Sequence, residues 1–499
     1  MLLNGIPDAG GATPEPIAPA DPVVRDPTTF DRQRPIEREL DAGVVDGFTL
    51  SAVGDCIITR PLTPCLGDEG FAAVIDILRR GDVVYGNLET SLIDMDRFEG
   101  YPYSWDADYP MVSHPAVAQD LAELGFQIMS RANNHALDWG IEGMRQTSRR
   151  LDAAGIVHAG TGEHAGVARA PRYLETARGR VGLVSFASTF LPTSEALTSQ
   201  TAAPGRPGVS TLKLHRKWIV PASVAAALAT LPAPPAKGNA APGELSRFDL
   251  RFVTGAEPGN AYDIDREDAA AILRSIRLGK QHSDFLIAAL HSHEARNEQP
   301  WPAAPLLPPE CLRPLAHAAI DAGADAFVTA GTHNLGPIEV YHGKPVFYGM
   351  GNFFWSDLQA PLSADLYHHQ AVGDLLARAF EHPERATDAD LTAVYEAAEF
   401  AHEWVFETML TRSTYAGGRL AEIAIYPVWL RYGERLTRSG IPQAASPERA
   451  KRILKWLRRA SEPYGTKIVV KGGVGYVRPA GVHAPPGSPR GPSKGGDSV

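Results

Sequence analysis

The 499-residue chain carries 48 Lys and Arg against 58 Asp and Glu, a formal charge of -10, and 44% of it is hydrophobic. That length and apolar share support a large buried interior and exclude a chain disordered throughout. The acidic balance excludes a surface that tracks phosphates, so no nucleic acid is expected as a partner.

Residues 1–45 are dense in Pro, Ala and Asp, and 479–499 in Pro, Gly and Ser, so both ends are predicted to be disordered or loosely docked tails. The start lacks the basic-then-apolar pattern of a signal peptide, and no apolar run approaches the roughly 20 residues of a spanning helix. No integral membrane segment is expected. Cys56, Cys65 and Cys311 are too few for a disulfide framework and lack metal-binding spacing, which fits a cytoplasmic location.

Between the tails, short β-rich runs alternate with amphipathic helical stretches, the pattern of parallel strands joined by helical crossovers. The first strand, from Phe48 to Val53, ends at Gly54-Asp55; a helix bearing Phe71, Val74, Ile75 and Leu78 comes next. Strand 83–85 ends at Asn87-Leu88-Glu89, and strand 126–129 ends at Asn133-Asn134-His135. A helix with Ile141, Met144 and Leu151 on one face leads to strand 181–186. Residues 190–265 are rich in Pro, Ala and Ser, too long for a connection, and read as an insertion or lid. Helix 269–278 then precedes strand 285–290, which delivers His291-Ser292-His293-Glu294; strand 326–329 delivers Gly331-Thr332-His333; strand 345–348 leads to Gly351-Asn352-Phe353. From 376 to 478 the pattern is an α+β extension with an acidic helical stretch, a strand over 420–426, a basic amphipathic helix over 448–460 and a terminal strand pair. The basic helix reads as a solvated face rather than a partner surface.

Ligands of open α/β sheets bind beyond the carboxyl ends of the strands. Asp55, Asn87, Glu89, Asn134, His135, His291, His293 and His333 all occupy such ends. Carboxylate, amide and imidazole together suit a divalent ion such as Mn, Zn or Fe, which accepts both N and O donors. Each residue alone has an ordinary reading, as a helix cap or a satisfied packing group; five polar clusters at successive strand ends do not.

These clusters resemble the poly-gamma-glutamate capsule synthesis (CapA-like) family, a branch of the metallo-dependent phosphatase fold. The resemblance runs through Gly54-Asp55, Asn87-Leu88-Glu89, Asn133-Asn134-His135-Ala136-Leu137-Asp138, His291 with Glu294, His333 to Glu339, and Gly351-Asn352-Phe353. It implies a four-layer α/β/β/α sandwich over 46–375, with 376–478 as a C-terminal extension. One departure stands out: where the family pattern has the first histidine of Gly-His-x-Pro-His, this chain has Ala330. Ser292-His293 stands in place of the family's Trp-Gly, so that His293 offers either a substitute for the lost imidazole or a new acid-base group.

The resemblance implies Asp55, Glu89, Asn134, His291 and His333 as metal ligands, and Asp55, His135, Asp138, His293 and His333 as catalytic groups. Asn87, Asn134, Glu294 and Asn352 are expected at the substrate. Three functions are open: metal-assisted hydrolysis or transfer on a peptide, poly-glutamate or phosphoester substrate; metal-independent epimerisation of a peptide, with no cofactor; and a non-catalytic role in capsule assembly. For the epimerase, Asp55 with His333 or His293 would be the acid-base pair. Tyr103, Trp105, Phe354 and Trp355 lie near motif loops where they can meet substrate, whereas Trp139 reads as packing.

Overall fold

The strand Thr49–Ile57 is the axis of the molecule, because three different parts of the chain pair with it. In the computed structural model, which describes residues 37–102, 110–232, 244–247, 250–297, 305–356, 370–399 and 402–479, it lies parallel to Val83–Leu88 and to Asn352–Trp355 and antiparallel to Glu407–Ala416. Ile128–Ser130 and Val157–Ala159 extend the sheet on one side; Arg419–Trp429, Val474–Val477 and Val469–Lys471 extend it on the other, and Gln443–Ala444 pairs with Arg419–Trp429, giving ten strands in all. The region after 376 therefore shares a sheet with the first strand. A second, six-stranded sheet runs in the order Ile338–Tyr341, Lys344–Phe347, Ala326–Ala330, Phe285–His291, Gly179–Ala187, Arg172–Thr176.

The side-chain alternation of the strands sorts them into layers. In the first strand Leu50 and Ala52 face the second sheet, meeting Val181, Leu183, Phe285, Ile287 and Val328 in one core. On the other face Val53 and Cys56 meet the helices Glu69–Leu78 and Val117–Leu124. The second sheet repeats the pattern: Leu286, Ala288 and Leu290 pack outward against Arg266–Gln281 and Leu312–Asp321. The result is a four-layer α/β/β/α sandwich. The helix Pro447–Ser461 adds Ile453, Leu454 and Leu457 to the inter-sheet core, while Arg449 and Arg452 on its other side pair with Glu403 and Glu407.

The segment 190–265 contains structure of its own. Leu245–Arg247, Leu250–Thr254, Leu214–Val220 and Gly259–Ile264 form a four-stranded sheet in that order, with the helix Ala222–Thr230 beside it. Its broken sequence periodicity follows from partial burial, since most of its strand residues are neither fully covered nor fully exposed. Among the described residues, no helix is long and apolar enough to cross a membrane.

Ile287 is fully buried between the sheets. Ile287→Ala is expected to cost about 2–5 kcal/mol of stability, read as a lower denaturant midpoint with an unchanged slope; an unaltered midpoint would contradict the inter-sheet core.

Candidate active site

Two rows of residues meet at the carboxyl ends of the parallel strands. Across the first sheet, Asn352, Asp55, Asn87 and Ser130 lie in register on adjacent strands. Across the second, Ala187, His291 and Ala330 do the same. Asp55 joins the two rows. Its Oδ1 accepts from Asn87 Nδ2 at 2.8 Å, and its Oδ2 accepts from the Gly331 backbone N–H at 2.9 Å. The approach requires glycine twice. A Cβ on Gly54 would stand 1.8 Å from the Gly351 carbonyl oxygen, and Gly331 has φ +104, in the left-handed region that only glycine enters without strain.

Asp55 is fully buried. Burial alone would raise its pKa; the His333 hydrogen bond, the His291 and His333 rings and the Gly331 N–H outweigh it and hold the carboxyl at about 2. His333 has φ +52 and places Nδ1 2.8 Å from Asn352 Oδ1 and 3.5 Å from Asp55 Oδ2. Both neighbours only accept there, so Nδ1 carries the proton and Nε2 the lone pair. Trp355 stands edge-on to this ring, with centroids 4.8 Å apart.

Glu89 is the second buried carboxylate, at 0% exposure. Three imidazole Nε2 atoms surround its Oε1: His291 at 3.4 Å, His135 at 4.0 Å and His293 at 4.0 Å. His291 Nδ1 accepts from Asn87 Nδ2 at 3.2 Å, so its proton sits on Nε2, 3.0 Å from His293 Nε2. Burial pushes the His291 pKa down to about 3, and His333 and His135 add to this against the opposing pull of Asp55. Burial and the same crowd of imidazoles hold His293 well below the ordinary value. His135 is the second residue of the short turn Asn134–Leu137, and its Nδ1 donates to Asp138 Oδ2 at 2.7 Å; Asp138 Oδ2 also accepts from the Met111 N–H at 2.6 Å.

The donor atoms of Glu89, His291 and His293 lie within 4.8 Å of one another, as do those of Asp55, Glu89 and His333. Glu89 belongs to both groups. Asn134 Oδ1 is buried beside them with no hydrogen-bond partner among the described residues. Buried polar atoms are seldom left unpaired, and this donor set fits a divalent ion of the Mn, Zn or Fe kind.

With Asn134 next to His135 in the turn Asn134–Leu137, the structure thus brings Asp55, Glu89, His135, His291, His293 and His333 to one cleft. Asp138, Asn87 and Asn352 stand behind it and hold His135, Asp55 with His291, and His333 respectively. Asn352 spends its Nδ2 on the Val405 carbonyl at 3.4 Å. Glu294 is turned aside: its Oε2 accepts from Ser188 Oγ at 2.6 Å, Ser292 Oγ at 2.8 Å and Thr189 Oγ1 at 3.0 Å. Thr189 Oγ1 also receives the His293 backbone N–H at 2.7 Å. Sequence reading missed Ser188 and Thr189, although they end the strand Gly179–Ala187 as the other clusters end theirs. It also missed the Gly331 N–H, a main-chain donor that no side-chain motif signals. Trp139 is buried, edge-on to Phe98; Tyr103 and Trp105 lie outside the described residues.

Residues 49–356 match the family model described as bacterial capsule synthesis protein PGA_cap. The Sinorhizobium fredii protein y4sH is 42% identical over 454 residues, 87% of this chain and 94% of its own length. The PGA biosynthesis protein CapA of Bacillus subtilis is 24% identical, covering 62% of this chain and 63% of its own. The capsule biosynthesis protein CapA of Bacillus anthracis is 23% identical, covering 61% and 59%.

In chelator-stripped protein, ¹⁵N shifts are expected to show His291 as the neutral Nε2–H tautomer throughout about pH 5 to 8. Protonation of His291 near its ordinary pKa would contradict the packing of this site.

Proposed function

We infer the function from one premise: the chain belongs to the bacterial capsule synthesis protein PGA_cap family. We propose that it is an enzyme of metal-assisted hydrolysis or transfer, acting on a peptide or poly-glutamate chain. The observation that supports this reading best is the convergence of two fully buried carboxylates with four imidazoles at the ends of facing sheets. A scaffold protein has no physical need to bury such charges, which cost several kcal/mol when unpaired. The choice of substrate draws on the Bacillus relatives, which are described as PGA and capsule biosynthesis proteins.

Asp55, Glu89, Asn134, His291, His293 and His333 would hold the ion. When bound, such an ion supplies Lewis-acid polarisation of the scissile group and lowers the pKa of water. The chain's own residues do the rest. Asp138 fixes the His135 tautomer, so that Nε2 faces Glu89 and can pass a proton to the leaving group. Asn87 keeps Asp55 and His291 in one plane of donors, and Asn352 keeps His333 turned toward Asp55. The inserted sheet borders the cleft on the side of His293, because Asn260 donates its Nδ2–H to the Ala295 carbonyl and its backbone N–H to the Arg296 carbonyl just beyond it.

Ala330 supports a second reading, metal-free epimerisation at a peptide α-carbon, since it stands in register with His291 and carries no donor. Asp55 with His333, or with His293, would be the acid-base pair of that reaction; the 3.5 Å contact to Asp55 uses His333 Nδ1, so Nε2 is the His333 atom left for a substrate.

Elemental analysis of protein purified without chelators is expected to find a divalent metal that falls with Glu89→Ala and with His333→Ala, together with turnover. Metal content unchanged in both variants would remove the ligand assignment. Deuterium entering a peptide substrate's α-position from solvent, and surviving chelation, would instead establish the epimerase.

A further inference from the structure

At the margin where both sheets end lies a cavity of about 990 Å³, none of whose lining residues belongs to the cleft above. Its walls come from the helix Gly140–Ala153 and from the two outermost strands, Val157–Ala159 of the ten-stranded sheet and Arg172–Thr176 of the six-stranded sheet. Arg145, Arg149 and Arg172 stand in these walls. Glu163 grips Arg145 with both carboxylate oxygens, and Glu142 pairs with Arg149 at 2.6 Å. Arg172 has no ion-pair partner among the described residues.

A fourth guanidinium lies behind the wall. Arg131 is 1% exposed, and its Nη1 donates to Ser148 Oγ at 2.9 Å and toward the Met144 carbonyl at 3.4 Å, both cavity-lining residues. Its Nη2 is buried with no hydrogen-bond partner among the described residues. Burial lowers its pKa to about 10, with Asp152 opposing, so it remains a cation at neutral pH. Asp152 is itself engaged by His158 at 3.2 Å. Burial, aided by the Arg131 charge, holds His158 at about 4 and therefore neutral. Counting the groups behind the wall as well, four guanidiniums stand against three carboxylates, Glu142, Asp152 and Glu163, and the excess cation is the unpaired Arg172, in a chain whose net charge is -10. A buried cation short of partners costs free energy that an arriving anion offsets.

We propose that this cavity is an anchoring site for the carboxylates of an acidic polypeptide chain, separate from the catalytic cleft. Its volume sits at the upper end of the roughly 300–1,000 Å³ of ligand sites, more than a compact inorganic anion fills. Ile156, Val157, Val167 and Pro171 add apolar wall between the arginines, which suits a chain whose carboxylates ride on methylene stems. Guanidinium forks match carboxylates two bonds at a time. The segment 131–135 joins the two places, sending Arg131 to Ser148 in the cavity wall and His135 to Glu89 in the cleft. That the chain is polyglutamyl rests on the function proposed above; that the cavity takes carboxylates does not.

The test is fluorescence anisotropy of the full chain with labelled γ-linked octaglutamate, repeated with the α-linked peptide. Arg172→Glu, at an exposed and unpaired position, is expected to fold as wild type and to weaken binding by about tenfold or more, while the same charge reversal at Arg419, an exposed arginine outside both the cavity and the cleft, binds as wild type. Either linkage giving this pattern supports the site, and a γ-only result identifies an isopeptide polymer. Absence of binding, equal binding by wild type and Arg172→Glu, equal weakening by Arg419→Glu, or displacement by inorganic phosphate at lower concentration than free glutamate would each overturn it. Arg172-dependent binding in a protein that holds no metal and turns nothing over would defeat the catalytic reading alone.

Discussion

The hydrogen bonds that close on Asp55 set the relation between the two sheets. A carboxylate sealed from water stays charged only where donors and positive charge outweigh the lost hydration. Here Asn87 supplies one donor from the neighbouring strand of the same sheet, and Gly331 supplies the other from the end of a strand in the opposite sheet. The sandwich therefore cannot slide at this end without orphaning a buried charge. Three other groups of the cleft are positioned relative to that lock: His291 through Asn87, His333 through Asp55 and Asn352, and Glu89 through the main-chain bond from its N–H to the Cys56 carbonyl.

The C-terminal region holds the same lock from behind. Thr408 Oγ1 donates to the Met350 carbonyl, Asn352 Nδ2 donates to the Val405 carbonyl, and the Trp355 N–H donates to the Gly440 carbonyl. The segment that carries Asn352, and with it the orientation of His333, is thus braced by strands and loops far later in the chain. Their role in the cleft is indirect and concerns orientation, since the described residues after 376 place no carboxylate or imidazole among the grouped donors.

The layer order and most strands were legible because burial on two faces writes a period of two into runs such as 285–290, and helices with one apolar face write a period near 3.6. The cleft was legible for a related reason: polar clusters at strand ends are exceptions to those periods. Three features were not. The strand Glu407–Ala416 was not among the expected elements; it is covered because it pairs both with the first strand, at the opposite end of the chain, and with Arg419–Trp429. The inserted sheet lacks a deep core and so lacks a clear period. The division of labour among the polar residues depends on side-chain direction: Asn352 and Asn87 look like substrate contacts in sequence, yet their hydrogen bonds are spent inside the protein.

A donor carried on a loop rather than a strand loses the hold of the ladder, and His293 is such a donor. A side chain at Ala330 would be fixed by the sheet, since that residue lies in register with His291 on the neighbouring strand. His293 stands beyond the end of its strand, so other contacts must fix it. The Thr189 hydroxyl accepts its backbone N–H, the adjacent Glu294 is clamped by three hydroxyls, and the inserted sheet grips the Ala295–Arg296 backbone next to them. Its side chain remains one-quarter exposed, whereas His291 and His333 are sealed. The imidazole offered in place of the family histidine is therefore the most exposed of the four, and its position is coupled to the inserted sheet.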